Sequence, residues 1–169
     1  IEHLDEYLIE FEANLKHRGG RVVWALNRKD AVREILQILK QHNVKMVVKS
    51  KSVTSEELEL NENLARNGIE PVETDLGEYI VQVAGEKPYH ILTPAMHKSK
   101  EDVAALFQDK FGMPANSTPE QITMFVREKL REKFLHAGAG ITGANFLIAD
   151  TGAVAITENE GNALMSISF

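Results

Sequence analysis

Three short apolar runs separated by helical periodicity constrain this chain more than any other feature. Arg21-Val22-Val23-Trp24-Ala25, Lys45-Met46-Val47-Val48 and residues 69–73 each read as a strand. Between the first two, Val32, Ile35, Leu36 and Leu39 share one helical face, with Asn27 placed as N-cap. Between the second and third, Thr54-Ser55-Glu56-Glu57 has the capping-box pattern, with the Thr54 hydroxyl on the Glu57 amide. Leu58, Leu60, Leu64 and Ala65 follow, until Asn67-Gly68 ends the helix. Strand, helix, strand, helix, strand at this spacing predicts parallel βαβ units with right-handed crossovers. Pro71 places the third strand near an edge or a strand end.

Beyond this core the reading is plainer. Leu4, Tyr7, Leu8, Phe11 and Leu15 form an N-terminal helical segment over residues 1–20, stopped by Gly19-Gly20, and an α/β domain occupies 21–169. Residues 77–83 read as a short helix and 89–93 as a fourth strand. Ser99 caps a helix carrying Val103, Leu106 and Phe107. Thr118-Pro119-Glu120-Gln121 is a second capping box with Pro at the first helical position. Two apolar runs around Asp150-Thr151-Gly152 predict a buried C-terminal β-hairpin. The fold class is α/β: a mostly parallel sheet flanked by helices, with a hairpin near the end. The chain opens on Ile1 inside a helical pattern, and Ser166-Ile167-Ser168-Phe169 alternates like a strand with an uncovered edge. Both ends therefore look trimmed from a longer protein.

Charge and composition remove several function classes. Nineteen basic against 25 acidic residues leave a net charge of −6, which disfavours a nucleic-acid partner. The apolar runs are too short for a membrane span. There is no cysteine, hence no disulfide, thiolate nucleophile or cysteine-ligated metal. The six histidines form no H-x-x-x-H or H-x-H pair, so no metal site is expected. The composition is compatible with a reducing, cytoplasmic setting.

The polar residues that carry chemistry collect at strand ends, where open α/β sheets bind ligands. Lys49-Ser50-Lys51-Ser52 follows the second strand; Lys49, Lys51 and Ser52 there are anion-binding candidates, or else a solvated loop. Asn61 sits on an apolar helical face, where it either fixes packing or orients the Lys51 loop. Asp75 and Glu78 follow the third strand and face the same crevice, or simply cap a helix. His97 lies past the fourth strand and is a further candidate. Gly138-Ala139-Gly140-Ile141-Thr142-Gly143 matches G-x-G-x-x-G, but a helix precedes it and a strand follows, the reverse of a dinucleotide fingerprint. It reads as a flexible entry to the hairpin, in which exposed amides around Gly143 still suit an anion. Glu158 and Glu160 would point the same way in an extended segment, and two like charges that close raise the pKa of one of them. Glu160 is the candidate catalytic carboxylate, with Gly161 and Asn162 as ligand contacts. Thr151 in the hairpin turn completes the ligand-binding set.

Taken in order, several of these segments resemble the lactate-utilization (LUD) domain family, and within it the iron–sulfur subunits. The segments are Lys49-Ser50-Lys51-Ser52, the Glu57…Asn61 helix, residues 69–78, Pro94-Ala95-Met96-His97, residues 140–144, Ala149-Asp150-Thr151-Gly152 and residues 158–162. The resemblance implies a fold like the sugar-phosphate isomerase and CoA-transferase superfamily. It implies a cytoplasmic bacterial complex oxidising L-lactate to pyruvate, with other lactate-utilization subunits as partners and a small carboxylate as substrate. In that family the cysteines that bind iron–sulfur clusters lie downstream of this domain. The clusters are therefore expected in the full-length protein and none in this chain, which alone would carry no electron transfer. Two other readings stay open. CoA-transferases of this fold use a Glu near a Gly as acyl acceptor, and Glu160-Gly161 looks similar. A non-catalytic sensing or assembly module is the other.

Overall fold

A computed structural model describes residues 2–89, 93–158 and 160–168. In chain order its elements are α1 (Leu4–His17), α2 (Arg28–Gln41), β1 (Met46–Lys49), α3 (Val53–Glu57), α4 (Leu60–Arg66), β2 (Glu70–Glu73), α5 (Leu76–Ala84), α6 (Lys100–Phe111), α7 (Pro119–His136), β3 (Ala139–Ile141), β4 (Phe146–Ile148), β5 (Ala153–Ala155) and α8 (Asn162–Ile167). β1 lies between β2 and β3, parallel to both. β4 and β5 form a separate antiparallel hairpin. The architecture is mixed α/β, as the strand–helix alternation predicts.

Side chains alternate across β1, and the core divides accordingly. Val47 packs with Leu39, Leu60, Leu64 and Ile69 of the α2–α4 layer. Val48 and Val72 pack with Ile80, Phe107, Val126 and Phe134 on the α5–α7 side. Full burial of one such side chain stabilises the fold by about 2 kcal/mol. The caps read from the sequence are present at α2, α6 and α7. Asn27 accepts from the Asp30 amide, Ser99 and Asp102 form a capping box, and so do Thr118 and Gln121.

Several expectations need correction. Residues 21–25 are irregular rather than a strand, with Trp24 exposed and its indole N–H on Glu12. This run joins neither outer edge of the β2-β1-β3 sheet and is tied instead to α1 through Trp24 and Glu12. Thr54 does not cap its helix: Ser52 accepts from the Ser55 amide instead. The helix is then broken into α3 and α4 at Glu59, whose φ of 48° is left-handed. The glycine-rich segment at 138–143 is no flexible entry, because 139–141 is β3. Gly140 is required there by close packing, since a Cβ would fall 1.5 Å from the Ser166 carbonyl oxygen of α8. Residues 166–168 end a helix rather than form a strand. The hairpin is exposed at Phe146, Leu147 and Ile148, not buried. The strand expected at 89–93 falls largely on residues 90–92, outside the described residues.

Candidate functional site

β1 and β2 end together. Their register pairs Lys49 with Glu73, and alternation turns both side chains away from the face of Val48 and Val72. Lys49 is only 1% exposed. Its ammonium lies 2.9 Å from Glu73 Oε1 and donates to Ser55 Oγ at 2.9 Å. Asn61 of α4 donates from Nδ2 to the same Glu73 oxygen at 2.5 Å. Gln82 of α5 accepts from the Glu73 amide and donates to the Pro71 carbonyl, which locks the end of β2. Thr74 donates its amide and hydroxyl to the Lys49 carbonyl, locking the end of β1.

The first turn of α5 brings Glu78 into this cluster. Asp75 caps the helix by accepting from the Glu78 amide at 2.9 Å. The Glu78 side chain is 3% exposed, and no donor among the described residues reaches either of its oxygens. Its pKa is pushed up to about 9, chiefly by burial and then by the neighbouring Glu73 carboxylate, with Lys49 opposing. At neutral pH it therefore holds a proton. The cluster borders a cavity of about 390 Å³.

A second cavity, of about 470 Å³, opens on the other side of the β1 end. Lys51 and Ser52 line one wall, Thr142 and Gly143 the next, and Asp75 and Glu160 face them. The end of β3 is tied in by Ser50, whose amide donates to the Ile141 carbonyl and whose hydroxyl donates to Thr142 at 2.7 Å. A Cβ on Gly143 would press on the Ser52 hydroxyl at 3.2 Å. Glu158 does not pair with Glu160 along an extended segment. Its carboxylate accepts from the amides of Ala163 and Leu164 and caps α8 at 2.6 and 2.9 Å. Glu160 turns towards Asp75; burial first, then that carboxylate, raise its pKa above the ordinary range, with Lys51 opposing.

The single crevice drawn from the sequence is therefore two cavities. Lys51, Ser52, Asp75, Gly143, Glu160 and Asn162 come together in one. Lys49, Asn61 and Glu78 belong to the other. Asn61 orients Glu73, not the Lys51 loop. His97 joins neither crevice wall: it pairs with Glu86 at 2.8 Å and stacks near Tyr89. Thr151 is held against α1, where its carbonyl accepts from Arg18 and that of Ala149 from Asn14. Gly161 opens α8 in left-handed backbone and lines an adjoining groove with Glu160 and Asn162. Sequence reasoning left Glu73, Ser55 and Thr142 out of the site. Glu73 had a readable signal, since it alternates with Val72 and ends its strand just as Lys49 does.

The LUD domain model matches residues 8–169. The chain belongs to the LUD domain family. It is 44% identical over its whole length to lactate utilization protein B of Bacillus cytotoxicus, and 43% identical to lactate utilization protein B 2 of Bacillus mycoides. It is 43% identical, over 98% of its length, to the uncharacterized electron transport protein YkgF of Escherichia coli. These matches cover 36%, 36% and 35% of the three relatives, so this LUD chain spans about a third of their length. No solved structure matches it significantly. The residues of this LUD chain do not fit an iron–sulfur cluster: it has no cysteine, and no three metal-ligating side chains converge among the described residues. No described helix is long and apolar enough to cross a membrane.

Proposed function

We propose that this LUD chain belongs to a component of a cytoplasmic iron–sulfur complex that oxidises L-lactate to pyruvate. The observation that carries the reading is its 43–44% identity, over its own whole length and 36% of theirs, to lactate utilization proteins B. The clusters would be held by cysteines elsewhere in the full-length protein, so this domain contributes subunit docking and ligand recognition rather than electron transfer. The crevice beside β3 suits a small hydroxy acid. Lys51 supplies a cation for the carboxylate and Ser52 a hydroxyl donor. Asp75 and Glu160 supply acceptors for the substrate hydroxyl, while the charge of Glu158 is already spent on α8.

The test uses the full-length protein with its clusters and partner subunits. Lys51→Ala is expected to raise the KM for lactate about tenfold, the worth of one charge-assisted hydrogen bond, with little change in kcat. A wild-type complex without lactate-dependent electron transfer would overturn the reading. Unchanged kinetics in Lys51→Ala and Glu160→Gln would reduce the domain to an assembly module. A mass shift on Glu160 after incubation with acyl-CoA would mark acyl transfer instead.

A further inference from the structure

The cavity beside Lys49, Glu73 and Glu78 asks for the opposite kind of ligand. Among the described residues, the buried side-chain polar atoms without a hydrogen bond are Asn61 Oδ1, Glu73 Oε2 and both oxygens of Glu78. Asn61 Oδ1 and the ionised Glu73 can only accept, whereas protonated Glu78 keeps one O–H, which it can share with Glu73, and one acceptor oxygen that no donor meets. The orientation of Asn61 is set by chemistry, because its amide nitrogen must face Glu73, which can only accept when ionised. That leaves Oδ1 unmet. Glu73 and Glu78 are 5% and 3% exposed, and buried acceptors without donors are costly. The Lys49 ammonium is already committed to Glu73 and Ser55.

The cavity wall adds little to this preference at longer range. Glu56, Glu59, Glu62 and Glu86 line it besides Glu73 and Glu78, against Lys49 and Lys87. Glu59 is paired with Arg28, Glu62 with Arg66 and Lys87, and Glu86 with Lys98 and His97, so the acidic excess at the mouth is small and the preference for a donor rests on the buried acceptors. Leu60, Val81 and Pro88 add apolar wall. A divalent metal ion fits poorly: no three ligating side chains converge among the described residues, and its second charge would add to that of Lys49 where a single ammonium charge is balanced by Glu73 and ionised Glu78. We propose that this cavity binds a small aliphatic primary ammonium ion, whose N–H groups donate to Asn61 Oδ1 and the Glu73 and Glu78 oxygens and whose alkyl stem lies on Leu60 and Val81.

Binding then has a proton signature. Glu78 faces Lys49 from β1, Glu73 from β2 and Glu56 from α3, and carries a proton at neutral pH. A bound ammonium favours the ionised carboxylate, so Glu78 releases its proton on binding. Affinity rises with pH towards 9, at most tenfold per unit.

The experiment is isothermal titration calorimetry on the full-length protein at pH 7.5, with propylamine and putrescine as probes. In wild type both are expected to bind. The apparent heat should differ between phosphate and Tris buffers, because a proton is released. Glu78→Gln should weaken both probes about tenfold or more and abolish the buffer dependence, whereas Lys51→Ala should leave them unchanged. Propionate and magnesium chloride should give no heat that Glu78→Gln removes. The proposal is overturned if neither amine binds at millimolar concentration, if Glu78→Gln binds them equally well, or if magnesium or propionate titrates the site instead. The buffer comparison needs no variant, so it decides the matter even if Glu78→Gln folds badly. The lactate assay on Lys51→Ala reads a different cavity and can fail independently.

Discussion

Lys49 and Lys51 are two residues apart, yet they work in different worlds. Lys49 is still on the strand, so the pleat points it into the α3–α4 layer, where Glu73 and Ser55 enclose it. Lys51 is past the strand end and lines a half-open crevice with Gly143 and Glu160. The buried lysine is enclosed by partners from the protein itself, and the half-exposed one lines an open crevice. The difference shows that type and spacing of residues name a charge, while the last hydrogen-bonded position of a strand decides which cavity it serves.

The largest effect should come from breaking the buried pair. Lys49→Met is expected to destabilise the protein by about 3 to 5 kcal/mol, because Glu73 is left buried without its counter-charge. Urea unfolding measures it, and Lys49→Met with Glu73→Leu together should recover most of the loss. A single variant as stable as wild type would erase the contrast between the lysines. Next comes Gly140→Ala, where the new methyl meets the Ser166 carbonyl and α8 must shift. About 3 kcal/mol is expected from such overpacking. It should impair carboxylate binding in the crevice that α8 helps to wall, and spare amine binding at Glu78.

A smaller effect sharpens the comparison through pH. Glu78 holds its proton up to about 9 in the folded protein, against 4.5 for an ordinary glutamate carboxyl. Between these values the folded state binds the extra proton, so stability falls as pH rises, by at most about 1.4 kcal/mol per unit. Urea midpoints at pH 5 and pH 8 should show the fall in wild type and a flatter profile in Glu78→Gln. The smallest effect belongs to the crevice. Lys51→Ala should change stability by less than about 0.5 kcal/mol, as partly exposed positions usually do, whatever it does to ligand affinity.

Much of this was readable before any coordinates. The strands at 46–49 and 70–73, the helices between and after them, the caps at Asn27, Ser99 and Thr118, and the hairpin all follow from local periodicity and capping chemistry. Of the residues that line the crevice, Lys51, Ser52 and Asp75 were read from the rule that ligands gather at strand ends, Gly143 from the exposed amides of a glycine-rich loop, and Glu160 with Asn162 from the polar segment after the hairpin. The misses have a common cause. Gly138 to Gly143 looks like a loop because glycine is a poor strand former, yet it is held as β3 by pairing with β1 and by α8 lying on Gly140. Residues 21–25 look like a strand because they are apolar, yet they join no sheet edge and are held against α1 by the Trp24–Glu12 hydrogen bond.

The sequence by itself determined the α/β class, the capped helices α2, α6 and α7, the strands at the centre of the sheet and the absence of any cysteine ligand, because each depends on neighbours along the chain. Only the tertiary structure decided that Lys49, Glu73 and Glu78 form one buried cluster apart from Lys51. That outcome depends on parallel register, which sets Lys49 against Glu73 across 24 residues of chain, and on α5 turning Glu78 back under β2. Register is a long-range quantity: a slip of one residue would send each of these charges to the opposite face.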